Sequence, residues 1–462
     1  MRVALLDLLE SPRGCNNKEV TGTYGSTMTG EGGMSSVFAW LKRRKLRMPV
    51  VSMGYLNAIF RQAGHEVLIC EKPPKEACDL VLMPTSIVGA REEQEAAREI
   101  KRRHPNTLIG FFGAFPRVDK EPFLAAGDFI IVGEPEAWAM KFANDFRVGA
   151  TLGSPSLTGG ASPAPTMNII PRLTGLIDSE EIKDLDTLPD PDWTGFPVAT
   201  YRYGPMLSKS PFLPLTTARG CPYDCFYCPY MVDQGKVYRR HSIPRVMGQI
   251  KNAIEKHGVK SILFRDIVFS MNKKRTRELC EAIISSGLKF QWGAETRIDC
   301  LDEDLVRLMR QSGCEALHFG VESSDNAILE EAGRRGMELD HQMKMVSFCE
   351  GLGIKVVCFY ILGFVSDTVE TMEKTIDYAC RLNSSVAQFG IMTPYPGTRL
   401  FDQVQDRLLT RDWTQYNTYN TVVRLDHVSS QQVLEAKKRA YRRYYLRAGW
   451  IGKRVPKLLG LS

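Results

Sequence analysis

No apolar run in these 462 residues approaches the roughly 20 that a membrane-spanning helix needs. The first residues, Met1-Arg-Val-Ala-Leu-Leu-Asp7, carry an acid inside their apolar stretch. They read as a first strand and not as a secretory signal. The twelve cysteines lack a dense pairing pattern, which argues against a disulfide scaffold; a reducing, cytoplasmic setting is expected. A broad basic field is lacking too. The net charge is +7, yet residues 435–462 hold nine Lys or Arg against one acid, so the rest of the chain is close to neutral. A basic surface confined to one end, with no RNA-binding motif beside it, does not point to nucleic acid. The length suggests two or three domains, and 44% apolar residues is the content of an ordinary soluble globular protein.

What the chain does have is Cys221-Pro-Tyr-Asp-Cys225-Phe-Tyr-Cys228, just after an apolar run and the turn Arg219-Gly220. Cysteine thiolates are the usual ligands of iron–sulfur clusters. Three on one short loop can hold three irons of a four-iron cube and leave the fourth open to a substrate. Zinc is the alternative. It normally takes four ligands, often as two C-x2-C-type pairs, and no second pair is visible; His241 lies too far along to join. Cys280, Cys314, Cys349, Cys358 and Cys380 fall in apolar patterns, where cysteine behaves as a small hydrophobe.

The loop resembles the signature of the radical S-adenosylmethionine (SAM) enzymes, including the aromatic Tyr227 before the last cysteine. That resemblance implies a [4Fe-4S] cluster on Cys221, Cys225 and Cys228, with SAM chelating the open iron and Tyr227 near the adenine. It also implies an electron donor such as flavodoxin or ferredoxin.

Ahead of the loop, apolar runs alternate with helical patterns. Strands are expected at residues 3–8, 66–70, 80–83, 108–112 and 129–132, and helices at 49–63, 92–103 and 135–145. Such alternation implies a doubly wound, Rossmann-like parallel sheet, which binds ligands at the carboxyl ends of its strands. Three strand ends carry small or hydroxyl residues that let a ligand approach the backbone. They make Thr85, Ser86, Gly113, Gly133 and Glu134 candidate cofactor contacts. His65 and His104 read as surface residues, and residues 21–36, with five glycines, as a flexible loop.

The order Pro49-Val-Val-Ser-Met-Gly-Tyr-Leu, Ala63-Gly-His-Glu-Val67, Asp79-Leu-Val81, Pro105-Asn106 and Val132-Gly-Glu-Pro-Glu136 resembles the cobalamin-binding domain of one large radical SAM class. Cobalamin is therefore implied by resemblance. The Asp-x-His-x-x-Gly pattern that supplies a histidine to cobalt elsewhere is missing, so the resemblance implies base-off binding without a histidine, or a domain that has lost cobalamin.

The expected divisions are a first domain over 1–147, a linker over 148–191, a barrel over 192–401 and a helical tail over 402–462. The linker is rich in Gly, Ser, Thr and Pro. Six strand–helix units follow, with strands expected at 213–218, 261–265, 290–294, 316–320, 355–362 and 386–392. Glycines 258, 287, 313 and 353 serve as helix stops. Six units fit the partial (β/α)6 barrel of the resemblance, whose chemistry sits at the carboxyl ends of the strands. Carboxylates there suit SAM's ammonium and ribose diol, and arginine suits its carboxylate. Asp266, Glu322 and Ser323 are the expected SAM contacts, with Arg297 beside them; Asp266 and Arg297 could instead form a structural ion pair. The helix expected at 432–446 interleaves arginines with Tyr441, Tyr444 and Tyr445. It reads as packed on the barrel, or as a peripheral contact with anionic lipid.

The resemblance implies methylation of an unactivated carbon or phosphorus of a small molecule. Radical cyclisation or rearrangement without methyl transfer is the alternative. A methylthiotransferase would need a second cluster on Cys15, Cys70 and Cys78, and a non-enzyme reading is a redox carrier or cobalamin sensor.

Overall fold

The computed structural model describes residues 1–11, 14–19, 21, 23–27, 46–146, 173–204 and 206–458. Most of the glycine-rich loop, the stretch 148–171 and the side chain of Val455 lie outside them.

The first sheet has six parallel strands: β1 (Arg2–Leu6), β2 (Glu66–Cys70), β3 (Leu80–Pro84), β4 (Leu108–Phe112), β5 (Phe129–Val132) and β6 (Gly175–Asp178). Their spatial order is β6-β5-β4-β3-β1-β2. β3 and β4 are buried throughout, as strands covered on both faces must be. Helices α1 (Val51–Gln62), α2 (Ala90–Arg103) and α3 (Pro135–Asp145) are the crossovers. The strand order reverses between β1 and β3, so the crevice of this sheet opens at their carboxyl ends. β6 lies inside the stretch expected to be linker. It pairs with β5 over four residues, so 175–178 belong to the first sheet. Composition flagged the Gly- and Ser-rich residues before it and hid the short strand that follows. His65 is buried, against the surface reading: its Nε2 faces the carbonyl of Ala143 at 3.3 Å and its ring packs on Phe60.

The second sheet is also six parallel strands, now in sequence order: β7 (Phe212–Leu215), β8 (Ser261–Phe264), β9 (Gln291–Thr296), β10 (Cys314–Glu322), β11 (Lys355–Leu362) and β12 (Val386–Ile391). Helices α4 (Ile243–His257), α5 (Lys273–Ser286), α6 (Glu303–Gln311), α7 (Leu339–Gly351) and α8 (Val369–Leu382) connect them. Their ends follow local chemistry. The Ser242 hydroxyl caps α4 by accepting from Arg245 N, and Gly258 ends it in the left-handed conformation.

Two of these strands alternate between full and partial burial. On β12, Ala387, Phe389 and Ile391 are buried under helices, whereas Val386, Gln388 and Gly390 are half-buried. β11 repeats the pattern, with Phe359 and Ile361 half-buried between fully buried neighbours. On β11 and β12 one face is therefore only partly covered, whereas β7 and β8 are buried throughout.

Helix α9 (Ser430–Tyr445) starts on a Ser429–Gln432 capping box and buries Val433, Ala436, Ala440 and Tyr444 along one face. Its basic residues serve the packing: Arg439 and Arg443 pair with Glu373 on α8, the latter also with Asp377. Lys438 and Arg442 face solvent. Among the described residues, no helix is long and apolar enough to cross a membrane.

Candidate active site

β7 leads into a short ribbon in which Ala218–Arg219 pairs antiparallel with Arg239–Arg240. The three cysteines lie on the loop that this ribbon closes, at the carboxyl end of the first barrel strand. Gly220 has φ +82°, and a Cβ there would stand 2.0 Å from the carbonyl oxygen of Val237. No other residue fits that approach. Cys221 N donates to Gly235 O at 3.2 Å, Cys228 N to Cys225 O at 3.1 Å, and Phe226 N to Ala332 O at 3.1 Å. The loop is thus fixed by backbone bonds and its thiols are left over.

All three thiols are unbridged. Burial pushes Cys228 up to about 12 and also raises Cys221. Metal ligation needs the thiolate, so this burial calls for compensating positive charge. Among the described residues no three Cys, His or carboxylate groups gather round one point as a single ion requires. Three thiols on one short loop with arginines beside them suit an iron–sulfur cluster, whose thiolate ligands need that compensating charge. Two arginines supply charge. Arg334 is buried and faces Cys225, Tyr227 and Glu322; its guanidinium donates to Gly320 O. Arg297 stacks over Tyr223 at 4.3 Å and holds Asp299 through two bonds of 2.9 and 2.7 Å.

Glu322 ends β10 with φ +66°, at a register break in its pairing with β11. A β-strand glutamate in the left-handed region is strained, and such strain clusters at functional sites. Burial pushes its carboxyl up, against the pull of Arg334, whose Nη1 lies 3.8 Å away. Tyr227 packs edge-on against Phe226 and Phe364 beside it. Cys221, Cys225, Tyr227 and Glu322 therefore lie round Arg334, which sequence reasoning missed; the run Gly333-Arg-Arg-Gly336 was its only signal.

Asp266 and Ser323 are engaged elsewhere. The Asp266 carboxylate accepts from Thr217 N at 2.6 Å and Thr217 Oγ1 at 2.5 Å, steadying the backbone just before the ribbon. Arg275 donates to the same hydroxyl at 3.1 Å. Ser323 Oγ accepts from Asp325 N and meets Thr375 Oγ1. The alternative Asp266–Arg297 pair is not formed, because Arg297 is committed to Asp299.

In the first domain, Thr85 Oγ1 donates to Phe112 O, and Ser86 N and Oγ donate to the Glu93 carboxylate. Gly113 and Gly133 have φ of +121° and +106°, with Cβ positions 3.0 Å from Thr85 O and 2.2 Å from Ser179 O. At the carboxyl ends of β1 and β3, Lys18 is buried between Asp7 at 3.1 Å and Glu93 at 3.2 Å and donates to Pro84 O. Glu134 has a task that its motif did not show. Its Oε1 lies 3.3 Å from Arg219 and 2.9 Å from Arg239, and Glu136 adds a 2.9 Å pair to Arg219. The residue before Gly220-Cys221 is thereby tied to the first domain. Tyr24 packs on Tyr395, and Thr23 Oγ1 donates to Asp233, so the carboxyl edge of the first sheet faces the barrel mouth.

For cobalamin the fit is one of place: Thr85, Ser86, Gly113 and Gly133 stand at that carboxyl edge next to the barrel mouth, with the two glycines close against the carbonyls of Thr85 and Ser179. The first domain's two histidines, His65 and His104, precede β2 and β4 and so sit at the opposite, amino edge. Neither is placed there to meet a ligand at the carboxyl edge. Cys70 is half-buried and Cys78 buried; the side chain of Cys15 lies outside the described residues.

Residues 215–379 match the radical SAM superfamily. An uncharacterized methyltransferase of Pyrococcus horikoshii is 34% identical over 268 residues, 58% of this chain and 57% of that protein. The chain thus spans little more than half the length of that relative. The anaerobic magnesium-protoporphyrin IX monomethyl ester cyclase of Rubrivivax gelatinosus is 26% identical over 86% of this chain and 72% of its own. Among solved structures, the cobalamin-dependent SAM radical enzyme OxsB, with aqua-cobalamin and SAM bound, superposes with a TM-score of 0.67 at 13% identity. That match covers 99% of this chain and 68% of OxsB. With its thiol loop on the first strand of a six-stranded barrel and a doubly wound domain ahead of it, the chain carries a radical SAM match over residues 215–379 and has the fold of a solved cobalamin-dependent SAM radical enzyme.

Proposed function

We propose that the protein is a cobalamin-dependent radical SAM methyltransferase acting on a small molecule. The observation that carries this reading is the position of Cys221, Cys225 and Cys228 at a barrel mouth that faces the carboxyl edge of the first sheet. When bound, the cluster supplies the electron that cleaves the SAM sulfonium, and cobalamin supplies the carrier for the methyl group. The chain's own residues do the rest. The three thiolates hold the cluster, and Arg334 and Arg297 balance its charge. Arg334 is also placed to pair with the SAM carboxylate, and Glu322 to accept from its ammonium or ribose diol. Tyr227 and Phe364 give the adenine an apolar wall; Gly363, at φ +80°, turns the chain just before Phe364 and packs on Val433 and Leu425. Asp266 acts at one remove, by fixing Thr217 and the strand that delivers the loop.

An external one-electron donor of the flavodoxin or ferredoxin kind completes the reading, in a cytoplasmic setting. A peripheral contact of the tail with anionic lipid would rest on Lys438 and Arg442.

Anaerobically reconstituted, reduced protein should convert SAM to 5′-deoxyadenosine and bind added cobalamin, followed by its visible spectrum. Cys225→Ala should lose the cluster's EPR signal and keep cobalamin; no 5′-deoxyadenosine from the wild type would refute the reading. Similarity to the cyclase over most of the chain favours a second reading, ring closure without methyl transfer. SAM carrying a labelled methyl group separates the two, since only the first places label in the product.

A further inference from the structure

One layer of the barrel lumen is polar where barrels are ordinarily filled by branched apolar side chains. Arg265, just past the end of β8, pairs with Glu295 on β9, and Glu295 is in register with His318 on β10. Arg265 also donates to the backbone carbonyl of Glu19 from the first domain and, at 3.0 Å, to the hydroxyl of Tyr230. Tyr230 follows Cys228 by two residues, so this layer and the thiol loop share a side chain. The imidazole of His318 is 2% exposed and neither ring nitrogen has a hydrogen-bond partner; Glu295 Oε1 is 3.9 Å away. Arg265 Nε lacks a partner as well. Tyr203 stacks under the imidazole at 5.8 Å and Phe359 meets it edge-on at 5.9 Å, so the ring is fixed without a polar contact. Buried polar groups in native proteins are nearly always bonded, and one that is not marks a place where something else binds. Two residues along the strands from His318, Gly320, Phe359 and Gln388 lie in register across β10, β11 and β12, and all three are half-buried.

We propose that the lumen holds its small-molecule substrate by an uncharged hydrogen-bonding group, such as an amide, a hydroxyl or a heteroaromatic N–H, bound by His318 and Gln388. The charge pattern selects the class. Arg265 and Glu295 cancel one another, so neither a net anion nor a net cation gains from the site; an anion on His318 would face Glu295, and a cation would face Arg265. A hydrocarbon would leave the imidazole unpaired. An imidazole offers one donor and one acceptor, and a carboxamide such as Gln388 offers both, which matches a neutral group that does the same. The half-exposed ring of Phe359 gives the rest of the ligand a flat apolar neighbour. This inference rests on the reading that the barrel mouth above binds SAM.

The test uses full-length reconstituted protein and three probes that share one ring: benzamide, benzoate and toluene. Titrations followed by ligand-observed NMR should give benzamide a Kd about tenfold below those of the other two, the worth of one or two buried hydrogen bonds. His318→Phe should erase that preference, and Gln388→Leu, at a half-exposed position, should reduce it and serves if the first variant does not fold. Removing an unpaired buried imidazole should leave Tm unchanged or raise it by about 2 °C. Equal binding of the probes, binding of none, a preference for benzoate, or a benzamide preference untouched by both variants would each overturn the assignment. So would a clear fall in Tm for His318→Phe, which would mean that the imidazole has a structural partner. Formation of 5′-deoxyadenosine by the wild type tests the proposed function separately, and neither result depends on the other.

Discussion

Replacing Arg219 by methionine should cost about 3–5 kcal/mol, because it strands a buried carboxylate. Glu136 is fully buried and its carboxylate receives Arg219 Nη2 at 2.9 Å and Nη1 at 3.3 Å. Two unit charges about 4 Å apart, at the effective dielectric near 20 that suits such sites, attract by about 4 kcal/mol. Glu134 lies 3.3 Å from the same guanidinium but is shared with Arg239, so it offsets only part of the loss in a Glu136 variant. Replacing both partners by methionine should cost less than the two single changes together, by about 2–3 kcal/mol, since an apolar pair of similar volume needs no compensation. Urea unfolding of the four proteins, followed by tryptophan fluorescence, measures this coupling. Trp193 is a suitable reporter: it is buried against Gly54 of the first domain at the junction with the barrel. Because Arg219 immediately precedes Gly220-Cys221, the single variants should also hold less iron after reconstitution, and the double variant should not restore it. Single costs below about 1 kcal/mol with a coupling below about 0.5 would refute the interdomain pairing.

Gly220→Ala should abolish cluster assembly while leaving the rest of the chain folded, since the new Cβ displaces the Val237 carbonyl and with it the ribbon; iron content and circular dichroism report the two outcomes. Arg334→Lys should raise the KM for SAM roughly tenfold, the loss of one bidentate charge-assisted contact. Asp266→Asn should leave that KM within about twofold and lower stability by about 1–3 kcal/mol, because an amide cannot accept from both Thr217 groups. Burial opposes ionisation of Glu295, yet the Arg265 guanidinium beside it holds its carboxyl down at about 2. A carboxyl held below its unfolded value stabilises the fold above that value. The contribution, about 3 kcal/mol, should be lost as pH falls from about 4.5 towards 2, and Glu295→Gln should flatten that part of the pH–stability curve.

The elements that sequence made legible were those fixed by neighbours in the chain. β2, β4, β5, β11 and α3 fall on the expected residues, each bounded by its own glycine, proline or polar turn. β6 was hidden because four residues carry too little periodicity to stand out after a Gly- and Ser-rich stretch. His65 misled because a lone histidine between Gly64 and Glu66 looks solvent-facing, and only the return of α3 buries it. The cysteine loop was readable for the same local reason: its spacing is its chemistry.

The residues that were missed share a different property. Arg219 and Glu136 are 83 positions apart, Arg265 and Glu19 are 246 apart, and His318 meets Tyr203 across 115 residues. Each is a charged or polar side chain whose neighbours come from far along the chain. Nothing in a local window distinguishes such a residue from a solvated one. The sites that hold the two domains in register and line the lumen are built almost wholly from this class, whereas the metal-binding loop is built from contiguous residues. A motif can therefore reveal the reaction class, while the identity of the substrate and the coupling between domains are encoded in pairings that only the folded chain displays. That division explains why Asp266 and Ser323, placed at strand ends by pattern, also brace neighbouring backbone and hydroxyls, while Arg334, outside any pattern, stands against the thiols.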